Sequence, residues 1–452
     1  MRRALRLSIM AAGFLVFILV HNCSAETWER VVSNGFGDPG NDYAWSMSIF
    51  KGKLYVGTLN ITGGGEIWRS SNGEAGSWQK VYDHIPLSNL GIRHLYADKD
   101  QALYACTVSF TGAEILRTTD GQKWTRVEKG MGNRADIAFR CMTRFGNYLY
   151  AGAENSADKG AQLYRSTNGL RWSPVMTKPG FDSTKVQDPN TGKLVINNIM
   201  IGELAVFHDQ LYAFTWTREG RHSDVIEYML GLEADNPRVQ SPPPGAFEVW
   251  RSKDGVNWEK VVGQDDPYGN GMGFCLHDPD GLSNDVVTST TVFKGQLYLG
   301  TMNDNACSTV WRTADGTQWT KVLDFFDLGE RANYYVWRMI QFKDKLFIGT
   351  NNVGPITAPG VTGAQIWASE SGDRGTFYNL VHNGFDGETW SNGSGVEIPK
   401  NTGIRTFAVF NDTLFAGTAT IPSVLIVNRN SLVDRLTIAG RDAGCEIWKM
   451  VP

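Results

Sequence analysis

The chain has 452 residues, a formal net charge of −4 at pH 7 and 42% hydrophobic residues, which is enough apolar material for a large buried core. This mildly acidic balance, with no basic stripe, argues against nucleic acid as a partner. The 50 glycines and 15 tryptophans are typical of many tight turns between strands that pack through aromatic rings.

The N-terminus has the order of a secretory signal, with a basic start followed by an apolar segment over residues 7–20. That segment is too short to span a bilayer comfortably, and small residues precede Ala25. We predict a signal peptide over residues 1–25 and a secreted or periplasmic protein. A twin-arginine signal and a lipoprotein anchor at Cys23 are less favoured alternatives, because neither full pattern is present. No later apolar run predicts a transmembrane helix.

A short pattern then recurs along the rest of the chain. Each copy has an apolar strand, a strand of the type Leu-Tyr-x-Gly, a Gly-rich gap, a strand of the type Ile-Trp-Arg-Ser, a tight turn and a strand of the type Trp-x-Lys-Val. The second strands of the copies begin at Leu54, Leu103, Leu149, Leu211, Leu297, Leu346 and Leu414. Repeats of this length and strand content predict an all-β fold, a seven-bladed β-propeller with four antiparallel strands per blade, as a single domain over residues 26–452.

The last copy lacks its fourth strand, because the chain stops just after Ile447-Trp448-Lys449. A matching strand stands at the other end of the chain, as Trp28-Glu29-Arg30-Val31-Val32. We therefore predict that the N-terminal strand completes the last blade, so that hydrogen bonds close the ring and leave no central open edge.

The turns between third and fourth strands carry an acidic residue and glycine. Asp-Gly is a strong hairpin signal, and the carboxylate can accept hydrogen bonds from turn amides. The turns resemble the Asp-box (BNR) repeat of sialidase-like propellers, Ser-x-Asp-x-Gly-x-x-Trp, although Asp and Gly are adjacent in most of them. The resemblance implies a propeller and gives the aspartates a structural role in the turns, at Asp120, Asp254, Asp315 and Asp373.

The innermost strands place charged residues at one height. Most of them end in phenylalanine, and five residues earlier stand Trp45, Arg93, Arg140, Gly202, Thr288, Trp337 and Arg405, with Arg338 one position off. Arginines around one axis could clamp a carboxylate. We predict an anion pocket formed by Arg93, Arg140, Arg405 and Arg338 with Trp45, Trp337 and Glu203. The alternative is that these arginines pair with Asp136, Asp285 or Glu203 and hold neighbouring blades together.

A catalytic alternative follows from the same resemblance. Sialidases bind the sugar carboxylate with an arginine triad, and Phe139-Arg140-Cys141-Met142 resembles their Phe-Arg-Ile-Pro motif without its proline. The resemblance implies that Arg93, Arg140 and Arg405 would bind the substrate carboxylate. Sialidases use a tyrosine nucleophile, for which Tyr43, Tyr334 and Tyr335 are candidates. No tyrosine–glutamate pair and no acid/base aspartate is identified by motif, so the catalytic residues stay unknown.

The long loops are predicted to share one face of the ring. They comprise two inserts between second and third strands, at about 218–246 and 421–444, and three connections between blades, at 177–200, 263–286 and 382–403. Loops of this length are usually functional, so we predict that this loop-rich face is the working face. In an oxidising compartment Cys275 and Cys307 are the best candidates for a disulfide. No histidines stand at metal-ligand spacing and no cofactor is predicted; Asp278 and Asp280 could contribute to a calcium loop, but a surface turn is the favoured interpretation.

These observations predict an exported, monomeric, non-catalytic binding module that recognises an acidic carbohydrate, a peptide or a protein on its loop-rich face. One alternative is an exo-glycosidase of sialidase type. The other is a structural or assembly protein of an exported complex, with the two inserts as its docking surface.

Overall fold

The computed structural model describes residues 26–83, 89–132, 134–155, 160–176, 178, 180–187, 192–217, 246–274, 284–303, 307–352, 362–391, 397–420 and 444–451. The predicted signal peptide and both predicted inserts, apart from their edges, lie outside the described residues. So do Cys275, Asp278 and Asp280.

The described chain is all-β, as predicted, with three short 3-10 turns at Asn34–Gly37, Gly130–Gly132 and Met272–Phe274. In chain order its strands are β1 Thr27–Val32; β2 Tyr43–Phe50, β3 Lys53–Leu59, β4 Ile67–Ser70, β5 Gln79–Tyr82; β6 Gly91–Asp98, β7 Ala102–Val108, β8 Glu114–Thr118, β9 Thr125–Lys129; β10 Asp136–Phe145, β11 Tyr148–Asn155, β12 Gln162–Ser166, β13 Ser173–Pro174; β14 Lys185–Gln187, β15 Leu194–Ile196; β16 Asn198–Phe207, β17 Gln210–Thr217, β18 Val249–Ser252, β19 Glu259–Val262; β20 Val286–Phe293, β21 Gln296–Met302, β22 Thr309–Thr313, β23 Thr320–Asp324; β24 Asn333–Phe342, β25 Lys345–Asn352, β26 Ile366–Ser369, β27 Tyr378–Val381; β28 Thr389–Ser391, β29 Glu397–Pro399; β30 Asn401–Phe410, β31 Thr413–Thr420 and β32 Ile447–Val451.

Twenty-eight of these strands form one antiparallel, propeller-like sheet. Consecutive strands pair into four-stranded units, and the first strands of successive units contact one another in the closed order β2, β6, β10, β16, β20, β24, β30 and back to β2. The first strands therefore surround a central axis. The predicted closure by the N-terminal strand is present, because β1 pairs antiparallel with β32, from Thr27 opposite Val451 to Val32 opposite Ile447.

Two of the long connections contain regular structure that the sequence did not indicate. The connection before β16 folds into the β14–β15 hairpin, and the connection before β30 folds into the β28–β29 hairpin. Both hairpins stand at the end of the ring where the first strands begin. We call this end the loop end, and the opposite end, where short turns join first and second strands, the turn end.

The glycine of the Leu-Tyr-x-Gly strands has a steric cause. A Cβ at Gly57 would lie 2.6 Å from Ile92 on the first strand of the next unit, and the same holds at Gly349 toward Ile404. Only glycine lets the second strand approach the next first strand so closely. The repeated glycine therefore sets the spacing between units.

A repeated aromatic sandwich covers the outer strands. Phe36 stacks on Trp68 with ring centroids 4.8 Å apart and meets the edge of Trp78 at 5.5 Å. Gly35 and Phe36 both have positive φ, which turns the ring onto the sheet. The sequence analysis missed this Gly-Phe repeat, although its signal is visible as Gly35-Phe36, Gly180-Phe181, Gly273-Phe274 and Gly384-Phe385.

The turns between third and fourth strands are held by side-chain acceptors. The carboxylate of Asp120 accepts from the backbone N–H groups of Lys123 and Gln122, both at 2.8 Å, and these bonds lower its pKa to about 2. Asp254 and Asp315 bind their turns in the same way. Asp373 differs from the prediction. The residue between it and Gly375 changes the turn, and its carboxylate instead pairs with Arg312 at 2.8 Å.

Candidate anion-binding site on the axis

Each first strand carries a β-bulge at one common position. The strand register shifts by one residue there, and the extra residues are Trp45, Arg93, Arg140, Gly202, Thr288, Trp337 and Arg405. A bulge bends the strand and changes the direction of its side chain. The set aligned from sequence is therefore the set of bulged residues, at one height around the axis.

Two of the predicted arginines stack on tryptophans. The guanidinium of Arg93 lies 4.8 Å from the ring centre of Trp45, and that of Arg405 lies 4.9 Å from Trp337 and 6.0 Å from Trp45. Gly403 leaves the space for the Trp337 ring, because a Cβ there would overlap it. Arg93 and Arg405 are thus packed as cations against indole faces, which is a stabilising arrangement in a desolvated place.

Aromatic rings continue this dry layer at the loop end. Tyr43 contacts Trp45 at 6.1 Å and Trp337 at 5.7 Å between ring centroids. Tyr335 in turn contacts Trp337 at 5.9 Å and Tyr334 at 4.5 Å. These residues come from β2 and β24 and belong to apolar clusters that reach β16, β20 and β31. The three tyrosines considered as nucleophiles are therefore part of the aromatic packing.

Arg140 has a different environment. It is 2% exposed, its guanidinium lies 4.1 Å from the ring centre of Trp216, and its Nη2 donates to the carbonyl oxygen of Thr288 at 2.9 Å. Its Nε and Nη1 have no hydrogen-bond partner, whereas Arg93 and Arg405 each leave one nitrogen without a partner, Nε and Nη1 respectively. Burial lowers the pKa of Arg140 to about 10, although Glu203 opposes the shift. A buried cation with two unused donors is costly and requires an explanation.

Glu203 and Arg338 complete a polar cluster with Arg140. Arg338 donates to Glu203 at 3.1 Å, which links β24 to β16 across the ring. Burial raises the pKa of Glu203, while the positive charges of Arg338 and Arg140 oppose the shift. Burial and the charge of Arg338 lower the pKa of nearby His94 to about 3, so this imidazole is neutral at pH 7. Its Nε2 has no partner. Two guanidinium groups and one carboxylate leave an excess of one positive charge.

The predicted site residues thus fall into two sets. Trp45, Arg93, Trp337 and Arg405 form the dry layer, whereas Arg140, Glu203 and Arg338 form the polar cluster. The pairing alternative holds for Arg338 with Glu203. Asp136 instead accepts from Asn155 and Tyr164. Trp216 was not predicted from the sequence; its ring lies beside Gly202, the bulged residue without a side chain.

An acidic cluster lies away from the axis, where β1 closes the ring. The carboxylates of Asp386, Glu388 and Glu446 lie within 4.8 Å of one another. Nη1 of Arg30 contacts all three at 2.9 to 3.1 Å, and Nζ of Lys400 contacts Glu446 at 2.9 Å. Cationic side chains therefore already fill this cluster.

The disulfide between Cys275 and Cys307 stays a prediction, and only Cys307 belongs to the described residues. Cys307 is a free, buried thiol whose Sγ donates to the carbonyl oxygen of Arg331 at 3.4 Å. This local acceptor, and not a second sulfur atom, satisfies the thiol. Its predicted partner Cys275 lies outside the described residues.

Among the described residues, no helix has the length and apolar character needed to cross a membrane. No family model and no curated protein matches the sequence.

Solved structures with similar folds include lectins and glycoside hydrolases. A lectin of Burkholderia pseudomallei is 10% identical with a TM-score of 0.50, covering 84% of this chain and 94% of the lectin. A GH74 xyloglucanase of Xanthomonas campestris is 14% identical with a TM-score of 0.47, covering 88% of this chain and 54% of that enzyme. A Trypanosoma rangeli sialidase is 13% identical with a TM-score of 0.44, covering 90% of this chain and 59% of that enzyme.

The chain thus spans about half the length of the xyloglucanase, at 54%. Of these three proteins the lectin has the highest TM-score, and at 10% identity the likeness concerns the fold alone. By fold, the chain is a closed, all-β, propeller-like protein.

Proposed function

We propose that this chain is an exported seven-bladed β-propeller with Asp-box-like turns that binds a carboxylate-bearing sugar without catalysis. The binding site is the polar cluster of Arg140, Glu203 and Arg338 on the axis. The pairing of strands into four-stranded units around one ring supports the blade count.

The unused donors of Arg140 carry this proposal. A buried polar group without a partner loses its hydration and gains nothing in return, which costs about 1–3 kcal/mol and more for a charged group. A carboxylate is the acceptor that a guanidinium binds most strongly. Filling the site would therefore remove a cost that the free protein bears at Arg140 Nε and Nη1.

The net charge of the polar cluster and the hydroxyl groups near it favour an acidic sugar as the ligand. The excess of one positive charge in the cluster matches one carboxylate, and neutral His94 adds no further charge. Half-buried hydroxyl groups of Ser48, Thr143 and Thr291 follow on the first strands toward the turn end and can pair with sugar hydroxyls. The likeness in fold to a lectin is in keeping with such a ligand.

The ion pair between Glu203 and Arg338 favours binding over catalysis. The carboxylate of Glu203 is held by Arg338 at 3.1 Å, so a guanidinium occupies the place that the leaving-group oxygen of a sugar would need, even though burial raises the pKa of Glu203. The sialidase-type alternative requires an acid and a nucleophile within reach of the bound sugar. It remains testable by turnover, because three arginines do lie at one height on the axis.

Thermal shift tests the proposal. Glucuronate, galacturonate and N-acetylneuraminate should each be compared with glucose and galactose, for the wild type and for Arg140→Met. We expect at least one acidic sugar to raise the melting temperature of the wild type by mass action, and no sugar to do so for Arg140→Met. Arg405→Met, which changes only the dry layer, should keep the shift.

The opposite results would contradict the proposal. A wild type that no acidic sugar stabilises has no such site. Release of methylumbelliferone from an acidic methylumbelliferyl glycoside would establish the hydrolase alternative in place of simple binding.

A further inference from the structure

We infer that the acidic ligand reaches the axial cluster through the turn end of the ring, and not through the loop-rich face that the sequence indicates. This inference rests on the proposed function. It assigns the mouth of the site to residues that the sequence analysis did not consider.

The exposure of side chains along the first strands indicates from which end the ligand enters. At the bulge, near the loop end, the side chains are closed off, with Arg140 and Arg405 each 2% exposed. Near the turn end the exposed fractions are 37% for Ile49, 40% for Val206 and 42% for Val292. These three residues hold the same place in β2, β16 and β20, one position before the final phenylalanine. Exposed apolar side chains at equivalent places around one axis form a rim.

The layer between the rim and the cluster is half-buried. Ser48, Thr143 and Thr291 stand there, one position deeper than the rim residues or their equivalents in the strand. Deeper still, the side chain of Arg338 keeps 18% exposure, whereas that of Glu203 keeps 9%. On the strand face that Thr143 and Thr291 share by their spacing with the places of Glu203 and Arg338, exposure therefore decreases from the turn end toward Arg140.

The loop end is closed by packing of the described residues. Tyr43 and Tyr335 both contact Trp337, and Tyr43 also contacts Trp45, so rings from β2 and β24 meet beside the axis. A hydrated carboxylate would have to displace these rings to pass, and a well-packed core resists such movement. The turn end requires no rearrangement of this layer.

Single cysteines with a removable bulky label test the route. The background should carry serine at Cys23 and Cys275, which lie outside the described residues, while the described native thiols are buried. Val292→Cys places the label at the turn-end rim. Thr62→Cys, exposed between β3 and β4, places it at the loop end, and Leu170→Cys places it on an outer turn.

The measurement is the association rate of the acidic sugar that stabilises the wild type, by stopped-flow tryptophan fluorescence. A route is a kinetic property, so a label at the mouth should slow association by about tenfold or more, a change within the range that association rates span. We expect this loss for labelled Val292→Cys, its recovery when dithiothreitol removes the label, and no change for labelled Thr62→Cys or Leu170→Cys.

Two outcomes would overturn the inference, and they differ. Slow association for labelled Thr62→Cys, with normal association for labelled Val292→Cys, would place the mouth at the loop end and leave the proposed function intact. No binding of any acidic sugar to the unlabelled background protein would remove the proposed function and the inference with it.

Discussion

Two regions of the described chain treat buried charge differently. Where β1 closes the ring, the fully buried carboxylate of Glu446 accepts from Trp448 at 2.9 Å and from Asn401 at 2.6 Å, and it pairs with Lys400 and Arg30. On the axis, Arg140 is as deeply buried but makes one hydrogen bond.

The difference separates structural charge from charge that awaits a ligand. A buried ion whose hydrogen-bonding groups are all occupied is part of the fold, and any added ligand would have to displace a partner. A buried ion with unused donors keeps a binding capacity that the protein itself does not fill. Four experiments can break or sharpen this distinction.

The largest effect is expected at the closing cluster. Glu446→Ala leaves Lys400 buried without its main counter-charge, and breaking a buried pair in this way costs roughly 3–5 kcal/mol. Chemical denaturation measures the change in the free energy of unfolding. Glu74→Ala, which removes a half-exposed partner of Lys449, is the control and should cost less than about 1 kcal/mol. Equal losses would show that the closing cluster is not structural.

The next effect depends on pH and concerns His94. Burial and Arg338 lower its pKa to about 3, so the unfolded chain binds the proton first as pH falls below 6.5. The buried neutral His94 therefore costs no stability above pH 6.5. Between pH 6.5 and pH 3 it lowers the free energy of unfolding by up to about 1.4 kcal/mol per pH unit. We expect His94→Gln to lose less stability than the wild type between pH 7 and pH 4. If the free energies of unfolding of the wild type and His94→Gln fell equally between pH 7 and pH 4, the imidazole would not be buried and neutral.

A smaller effect compares the two kinds of axial arginine. Arg405→Met removes a cation that contacts two indole rings, and we expect a loss of about 1–2 kcal/mol. Arg140→Met removes one hydrogen bond and the contact with Trp216 but also two unused buried donors, so the free energy of unfolding should change by less than about 1 kcal/mol. Urea denaturation compares them. A larger loss for Arg140→Met would make this residue structural and weaken the proposed site.

The smallest effect is expected in the outer turns. Burial acts to raise the pKa of Asp315, but the N–H groups of Gln318 and Thr317 outweigh it and lower the pKa to about 2. Asp315→Ala should cost about 1 kcal/mol at pH 7. This contribution exists above pH 3.8 and disappears toward pH 2. Asp373→Ala should change the melting temperature less, because this exposed carboxylate pairs with Arg312 and accepts no backbone N–H of its turn.

Much of the fold could be predicted because its determinants are local and repeated. Strand-forming residues, Asp-Gly turns and the Leu-Tyr-x-Gly spacing act within a few residues, so each copy confirms the others. The absence of a fourth strand after Trp448 and the matching strand at Trp28 could likewise be predicted from the sequence. The Gly-Phe repeat was readable in principle, but its effect depends on tryptophans more than 30 positions away.

The sequence by itself determined an all-β repeat, its closure by the first strand, and a common height for Trp45, Arg93, Arg140, Trp337 and Arg405. Only the tertiary structure decided that all three arginines stack on indoles, and that Arg140 leaves two nitrogens without a partner where Arg93 and Arg405 each leave one. The physical reason is that their partners come from other strands of the ring, such as Thr288 on β20 and Trp216 on β17. Which side chains meet across an axis depends on the geometry of the ring and the direction of each bulge. The spacing of residues along one strand predicts neither of them.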